Sequence, residues 1–439
     1  MSLLNLSLIF FLLLLVLNYR EHRSVLFPPF IFCAMWLLCL VVIRSNLIDL
    51  DPIHGNTLAI VAAGATAFSV GGWIAGLVPR KLLRIHLFAP KPERTPDLLR
   101  NTLMIALLCG LPAMFYQTLQ LSNSQGGGFN ILMQARLAMF ENAQSGKLSV
   151  PFWVNDYLRI VIFASLLFFT EKKDRQFWAV TVVAFIACIL STGRGDLVIL
   201  IAGLSTISLL QRKQESFLVA MRILRWPIVL VSALWIGLIF TNKDTKGMTG
   251  GAAGIAATFV LSYIAGPLAA FDSVVQSPAG FMSISSHTFQ FPLHLAATLH
   301  LTDYTMPPVL DSFVFVPFSM NVYTIFKFYF LELGITGTLV FLLFLGLLHS
   351  LIYLKARQGG RLSMYLFALS INTVLVVIAG DLYSDLGSFV AALGFGLLYF
   401  LIGSLPLRLF PANKQGHLNL RTSKACYASS LNHKEIDLG

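Results

Sequence analysis

Between Thr241 and about Gly337 an otherwise apolar chain gathers side chains that can do chemistry. They are Lys243, Asp244, Lys246, Asp272, His287, His294, His300, Asp303 and Asp311, then Asn321-Val-Tyr-Thr324, Lys327 and Glu332. Glu332 stands directly before the apolar run 333–354, so it is expected at a membrane boundary, where a carboxylate is costly unless paired or facing water. A partly dry setting of that kind suits a general base that takes a proton from a hydroxyl. Asp272 is the rival for that role, with His294 behind it, and Asn321 and Tyr323 lead into Glu332 as candidate substrate contacts. Gly334 and Gly337 are read as permitting close helix packing behind it.

The candidate cations point to an anionic substrate. Arg194 lies in Ser191-Thr-Gly-Arg-Gly-Asp196, a tight turn whose glycines let backbone approach a ligand closely. Its planar guanidinium suits paired hydrogen bonds to a diphosphate or carboxylate; the competing reading is a helix-end charge paired with Asp196 or with lipid phosphate. Arg136 lies in Phe129-Asn-Ile-Leu-Met-Gln-Ala-Arg-Leu-Ala-Met-Phe140, an amphipathic segment fit to lie over the mouth of a bundle. It is either a solvated charge or a second cation in the same cleft. Lys243 and Lys246 follow an apolar segment and divide between headgroup contact and substrate contact. Asp156 and Arg159, at i and i+3, read as a mutual ion pair.

Other chemistries find no support. His287, His294 and His300 are spaced seven and six apart, which is no ligand pattern for one helix face. Cys33, Cys39, Cys109 and Cys188 fall in apolar segments and Cys426 in the tail, with no disulfide or metal spacing, and read as small buried residues. A P-loop and a Ser-His-Asp signature are absent from the sequence. No metal and no cofactor are called for.

The elements that would hold these residues are membrane helices. Across 439 residues the chain is 56% hydrophobic and 12% charged, with a mean hydropathy of +0.77, which a soluble domain cannot carry without large exposed apolar patches. Apolar segments at 3–18, 25–43, 57–78, 101–120, 151–170, 177–191, 196–210, 226–241, 329–354, 364–380 and 386–407 predict about eleven spanning helices. The reading is an all-α polytopic transmembrane bundle over 1–410, followed by a polar tail, 411–439, expected to be disordered. The first run lacks a small-residue cleavage site and reads as a retained helix. Ala252–Phe271 is apolar enough to be a twelfth crossing, but Gly254, Gly266 and Pro267 and the charge pattern favour an interfacial or re-entrant helix. Pro307, Pro308 and Pro317 predict turn or extended backbone.

Basic residues divide unevenly between the two sets of connections. The set containing 19–24, 79–100, 171–176, 211–225, 355–361 and the tail from Arg408 holds 23 Lys and Arg, and the other set holds seven. The positive-inside tendency then puts the N-terminus outside, the C-terminus inside, and two long loops, 121–150 and 241–328, on the outer face. The net charge of +11 is explained by this asymmetry. No basic patch interleaved with stacking aromatics in a soluble module indicates nucleic acid.

Several of these stretches together resemble the bacterial O-antigen polymerases, the oligosaccharide repeat-unit polymerases of lipopolysaccharide and capsule assembly. The likeness rests on Ser191-Thr-Gly-Arg-Gly195, on Phe271-Asp272, and on Asn321-Val-Tyr-Thr324 followed by Phe330-Leu-Glu-Leu-Gly-Ile-Thr-Gly337. Two large outer loops in a bundle of this size also match. The resemblance implies a membrane-embedded, GT-C-like glycosyltransferase of the bacterial inner membrane, with both loops periplasmic. Its substrates would be oligosaccharides on undecaprenyl diphosphate, and a chain-length regulator and a flippase would be its partners. Outer-face arginines are characteristic of that group. Carried over, this assigns diphosphate contacts to Arg194 and Arg136 with help from Lys243 and Lys246, and the base to Glu332, with Asp272 as the alternative. An O-antigen ligase shares the architecture and differs in acceptor. A flippase or other transporter would instead line a path across the midplane with charge in paired half-bundles, and a scaffold in an assembly complex is a further alternative.

Overall fold

The computed structural model describes residues 2–79, 97–124, 131–132, 134–135, 138, 152–171, 174–191, 194–212, 216, 218, 252–281, 286–305, 312–380 and 394–399. It is almost entirely helical: α1 Leu3–His22, α2 Pro28–Arg44, α3 Gly55–Leu77, α4 Asp97–Ser124, α5 Phe152–Glu171, α6 Arg175–Leu190, α7 Arg194–Arg212, α8 Ala252–Gln276, α9 Gln290–Thr298, α10 Phe326–Arg357 and α11 Arg361–Leu375. The described strands are a two-residue antiparallel pair, β1 Val314–Phe315 and β2 Ser319–Met320, turned through Pro317. Among the described helices α1, α3, α4 and α10 are long and apolar enough to cross a membrane, so the chain is an all-α membrane protein. The expected spans at 226–241 and 386–407, apart from a helical stretch at 394–399, lie outside the described residues, as does the tail.

Local sequence explains where the helices begin. Pro28 and Pro29 open α2, where a missing N–H costs nothing. Asp174 caps α6 by accepting from Phe177 N–H at 3.0 Å, and the same carboxylate accepts from Nη2 of the fully buried Arg100 of α4 at 3.1 Å, with its other oxygen 2.9 Å from that nitrogen. α3 starts at His54 without a side-chain cap from its own segment; the missing acceptor comes from elsewhere in the chain.

Two apolar cores share two helices. The first is built mainly from α1, α2, α3, α8 and α10, and the second from α4, α5, α6 and α7, with Leu209 and Leu210 at the end of α7 reaching the first. α11 runs between them, giving Met364, Phe367, Ile371 and Val374 to the first and Tyr365, Ala368 and Leu369 to the second. The faces follow from helical periodicity. Within the first core α3 and α10 meet backbone to backbone. A Cβ added at Gly71 would lie 2.1 Å from the Leu343 carbonyl oxygen, and one at Gly346 would lie 2.1 Å from that of Phe68. Small residues of this kind let helices associate where apolar burial gives no preference over lipid. A buried polar knot adds to it: Asn18 donates to Ser69 Oγ at 3.0 Å and accepts from Trp73 Nε1 at 3.0 Å, tying α1 to α3.

α10 is not one straight helix. At Gly334 the backbone takes φ 67° and ψ −175°, a combination open in practice only to glycine. The chain doubles back there. In a continuous helix Tyr329 and Phe341 would be about 18 Å apart along the axis, whereas their ring centroids are 4.6 Å apart. Phe326 and Leu342 likewise both reach the one position beside Gly64. An ascending limb, 326–333, therefore packs against a descending limb, 335–357. The end of the bundle where α3 begins is called the upper end below. Gly64 is nine residues into α3, about 13 Å below that end, so the ascending limb starts well inside the bundle.

α8 settles how the 252–271 stretch packs along its described side chains. Residues 261–265 pack on Val42, Ile43, Ile48 and Leu50, and Asp272 reaches His54. Ala265 and Asp272 are about 10 Å apart along α8, and both meet the upper ends of α2 and α3. This part of the helix therefore lies against the upper ends of α2 and α3. Two expectations change. α11 stops at Leu375 rather than 380, because the apolar run Val376-Val-Ile-Ala379 continues as turns. Cys109 is exposed on α4, unlike the buried Cys33, Cys39 and Cys188.

Candidate functional site

Asp272, near the end of α8, supplies the cap that α3 lacks. Its Oδ1 accepts from the His54 backbone N–H at 3.1 Å and from Thr57 Oγ1 at 2.5 Å, and its Oδ2 meets His54 Nδ1 at 2.8 Å. The carboxylate thus closes the N-terminus of a helix more than 200 residues earlier in sequence, where free N–H groups and the helix dipole favour an anion. Asp272 is 7% exposed. The His54 side chain is 60% exposed, so its second ring nitrogen, Nε2, faces away from the joint.

Glu332 sits near the top of the ascending limb and makes a second joint. Its Oε2 accepts from Ser286 Oγ at 2.6 Å, its Oε1 from His287 N–H at 2.6 Å, and the Thr288 N–H lies 3.2 Å from both oxygens. The turn that grips it leads into α9. Tyr304 donates to the Ser286 carbonyl at 2.7 Å, and the His287 ring stacks on Phe328 with centroids 4.0 Å apart. Burial, and secondarily the Glu332 charge, push the Tyr304 phenol above its usual range. Glu332 is itself exposed, in keeping with a boundary position. Gly334 serves the chain reversal rather than close packing: a Cβ there would meet nothing within 4 Å, and only its positive φ demands glycine. Gly337 packs on Leu333, just before the reversal.

Below Glu332 the chain enters through non-helical backbone. Tyr323, Thr324 and Ile325 are buried, and the Ile325 N–H donates to the Val377 carbonyl at 3.0 Å, pairing this stretch with the turns that follow α11. Irregular backbone inside a membrane bundle is tolerated where protein encloses it or where it lines a polar path. Tyr323 donates to the Ser312 carbonyl at 2.8 Å, and the Lys327 ammonium lies 3.7 Å from the Tyr323 ring centroid and 4.9 Å from that of Phe328. Lys327 is 3% exposed, and a desolvated cation on aromatic faces is strongly held. Asn321 is half-buried at the mouth of this stretch.

Phe271 links the two joints. Its ring packs on Phe326 and Phe330, centroids 5.8 and 5.9 Å away, so Asp272, Tyr323, Lys327 and Glu332 belong to one assembly that runs from the upper end into the bundle. Arg136, Lys243 and Lys246 lie outside the described residues. Arg194 opens α7, with its side chain and that of Asp156 also outside them. Asp196, weighed above as a partner of Arg194, accepts from Ser191 Oγ at 3.3 Å. His294 and His300 are exposed on and after α9. Among the described residues no three His, Cys, Asp or Glu side chains converge.

Sequence reasoning missed His54, Ser286 and the burial of Lys327. His54 falls in a short connection between two apolar spans, and only the fold brings it to Asp272. For Lys327 the signal was present in the aromatic residues Tyr323, Phe328 and Tyr329 around it. Comparison with known proteins adds no identity: no family model, no curated protein and no solved structure matches the chain.

Proposed function

We propose that the protein is a polysaccharide polymerase of the bacterial inner membrane. It transfers a growing glycan from undecaprenyl diphosphate onto a new lipid-linked repeat unit. One observation carries the reading. Three stretches that resemble the polymerase family, Phe271-Asp272, Asn321 to Thr324 and Phe330 to Gly337, are scattered through 67 residues of sequence and come together as one assembly around the Gly334 reversal. In this reading the upper end is periplasmic, following the excess of basic residues on the opposite connections.

The chemistry asks for cations near an apolar wall to hold diphosphates, a group to take the acceptor's proton, and grooves between helices for lipid tails. Lys327 joins Arg194, Arg136, Lys243 and Lys246 as a cation for the first task. Glu332 and Asp272 order the second. The ligase alternative shares all of these parts and differs only in acceptor.

The test is reconstitution. Purified protein in vesicles, given a lipid-linked repeat unit alone, is expected to form a ladder of multiples and release undecaprenyl diphosphate. Glycan transfer only when lipid A–core is added identifies a ligase, and movement of the lipid-linked unit across the bilayer without new glycosidic bonds identifies a flippase.

A further inference from the structure

Among the described residues, both carboxylates proposed as base are already engaged by donors. A carboxylate offers about four lone-pair positions. Glu332 is held by three donors, the Thr288 N–H being shared between its two oxygens. Asp272 receives three, from a setting only 7% exposed. Taking a substrate proton would compete with the contacts that make these joints. The joint at Asp272 nevertheless presents a lone pair to the upper end, one atom further out.

We propose that His54 is the catalytic base of the transfer and that Asp272 is its positioning residue, a proposal that rests on the polymerase reading. With Nδ1 bearing the hydrogen and donating to Asp272 Oδ2 at 2.8 Å, the imidazole is fixed in the tautomer whose Nε2 carries a lone pair. An acid that holds a histidine in this way sets both ring orientation and tautomer, and stabilises the imidazolium once the proton has moved. The carboxylate that holds the ring is itself fixed, because it also accepts from the backbone N–H of His54 and the hydroxyl of Thr57 on the first turn of α3. Its exposure of 60% leaves room for a sugar hydroxyl.

The step balances without a cofactor. The acceptor hydroxyl oxygen forms a bond to the anomeric carbon of the donor glycan as its proton passes to His54 Nε2. The bond from that carbon to the diphosphate oxygen breaks, and undecaprenyl diphosphate leaves with the electron pair. The imidazolium then gives its proton to solvent.

The experiment uses the full-length protein reconstituted with a lipid-linked repeat. His54→Ala leaves the backbone N–H and Thr57 bonded to Asp272, so the helix cap survives. Its turnover at saturating substrate is expected to fall at least about a hundredfold with KM changed little, and added imidazole is expected to restore part of the rate. Turnover within threefold of wild type overturns the proposal, as does a loss that imidazole leaves untouched while His54→Asn retains full activity. If the alanine variant does not fold, His54→Gln decides, since it keeps a side-chain N–H for Asp272 but supplies no base: normal turnover sinks the assignment and a hundredfold deficit upholds it. Wild-type protein that forms no glycosidic bonds from lipid-linked repeats removes the polymerase reading and this proposal with it. An active wild type with an active His54→Ala removes the proposal alone.

Discussion

Asp272 and Glu332 are both acidic side chains that accept backbone N–H groups across a long sequence gap, yet they sit in opposite surroundings. Asp272 is buried and closes the start of a spanning helix. Glu332 is exposed and grips the turn before a nine-residue helix. The first joint fixes two parts of the core to each other, and the second fastens a surface segment to the apex of a chain reversal. Burial makes the difference, because the buried Thr57 hydroxyl left unmet at Asp272 has little water to turn to, whereas the donors at Glu332 lie near solvent.

That contrast ranks the consequences of breaking each joint. Asp272→Ala leaves the His54 N–H, the His54 ring and the Thr57 hydroxyl without their shared acceptor. Bonds to a charged group are worth about 1.5–3 kcal/mol each, and they overlap here, so a loss of about 3 kcal/mol is expected. Denaturation of the detergent-solubilised protein would measure it, and turnover should vanish with it. Asp272→Asn keeps one acceptor oxygen and should lose less stability while still disturbing the His54 tautomer. Equal stability for wild type and Asp272→Ala would mean that α3 does not depend on this cap.

The chain reversal that carries Glu332 is the next most sensitive point. Gly334→Ala adds a methyl group with open space around it but demands φ 67° of an L-residue, a strain of about 1–3 kcal/mol. The expected result is loss of the contact between the two limbs. A Tyr329→Cys, Phe341→Cys pair should cross-link readily in the otherwise native chain and poorly with Gly334→Ala added. No cross-link in either background would show a continuous helix instead.

How much of this was readable beforehand depends on the physical signal involved. Apolar length located α1 to α7 to within a few residues, because a bilayer span leaves a long unbroken pattern. The same signal ran straight through Gly334 and through Val376 to Ala379, since hydropathy records what lies next to lipid or protein and says nothing of chain direction. Glu332 was legible as a costly carboxylate at a boundary, and Asp272 as its rival in the long loop. Their partners were not. His54 is an ordinary polar residue in a short connection and Ser286 one of many in a long loop, and only three-dimensional proximity gives them a role.

Breaking the exposed joint should cost less. Glu332→Gln keeps one carbonyl oxygen for the 286–288 turn and turns an amide NH2 toward donors, so about 1 kcal/mol is expected, confined to one segment. Hydrogen exchange should speed up over 286–298 and stay unchanged in α3. Turnover is the second readout. If Glu332 positions the turn, the rate falls in step with loosening of that segment, and if it takes the proton itself, the rate collapses while exchange at 286–298 hardly changes.

The smallest expected effect belongs to Tyr304, which braces the same turn from behind. Tyr304→Phe removes one hydrogen bond, to the Ser286 carbonyl, from a site with water nearby, and its cost should stay below about 1 kcal/mol. The phenol also reports on the joint. Burial raises its titration first and the Glu332 charge second. Because the folded protein favours the neutral phenol, its contribution to stability is full below the ordinary tyrosine range and is lost as pH climbs through the raised value. An ultraviolet titration of wild type minus Tyr304→Phe isolates this one group. Placing Glu332→Gln in both proteins should lower the midpoint while leaving it above that of free tyrosine, since burial remains. A midpoint unmoved by Glu332→Gln would separate the two residues electrically and leave the turn held by its backbone contacts alone.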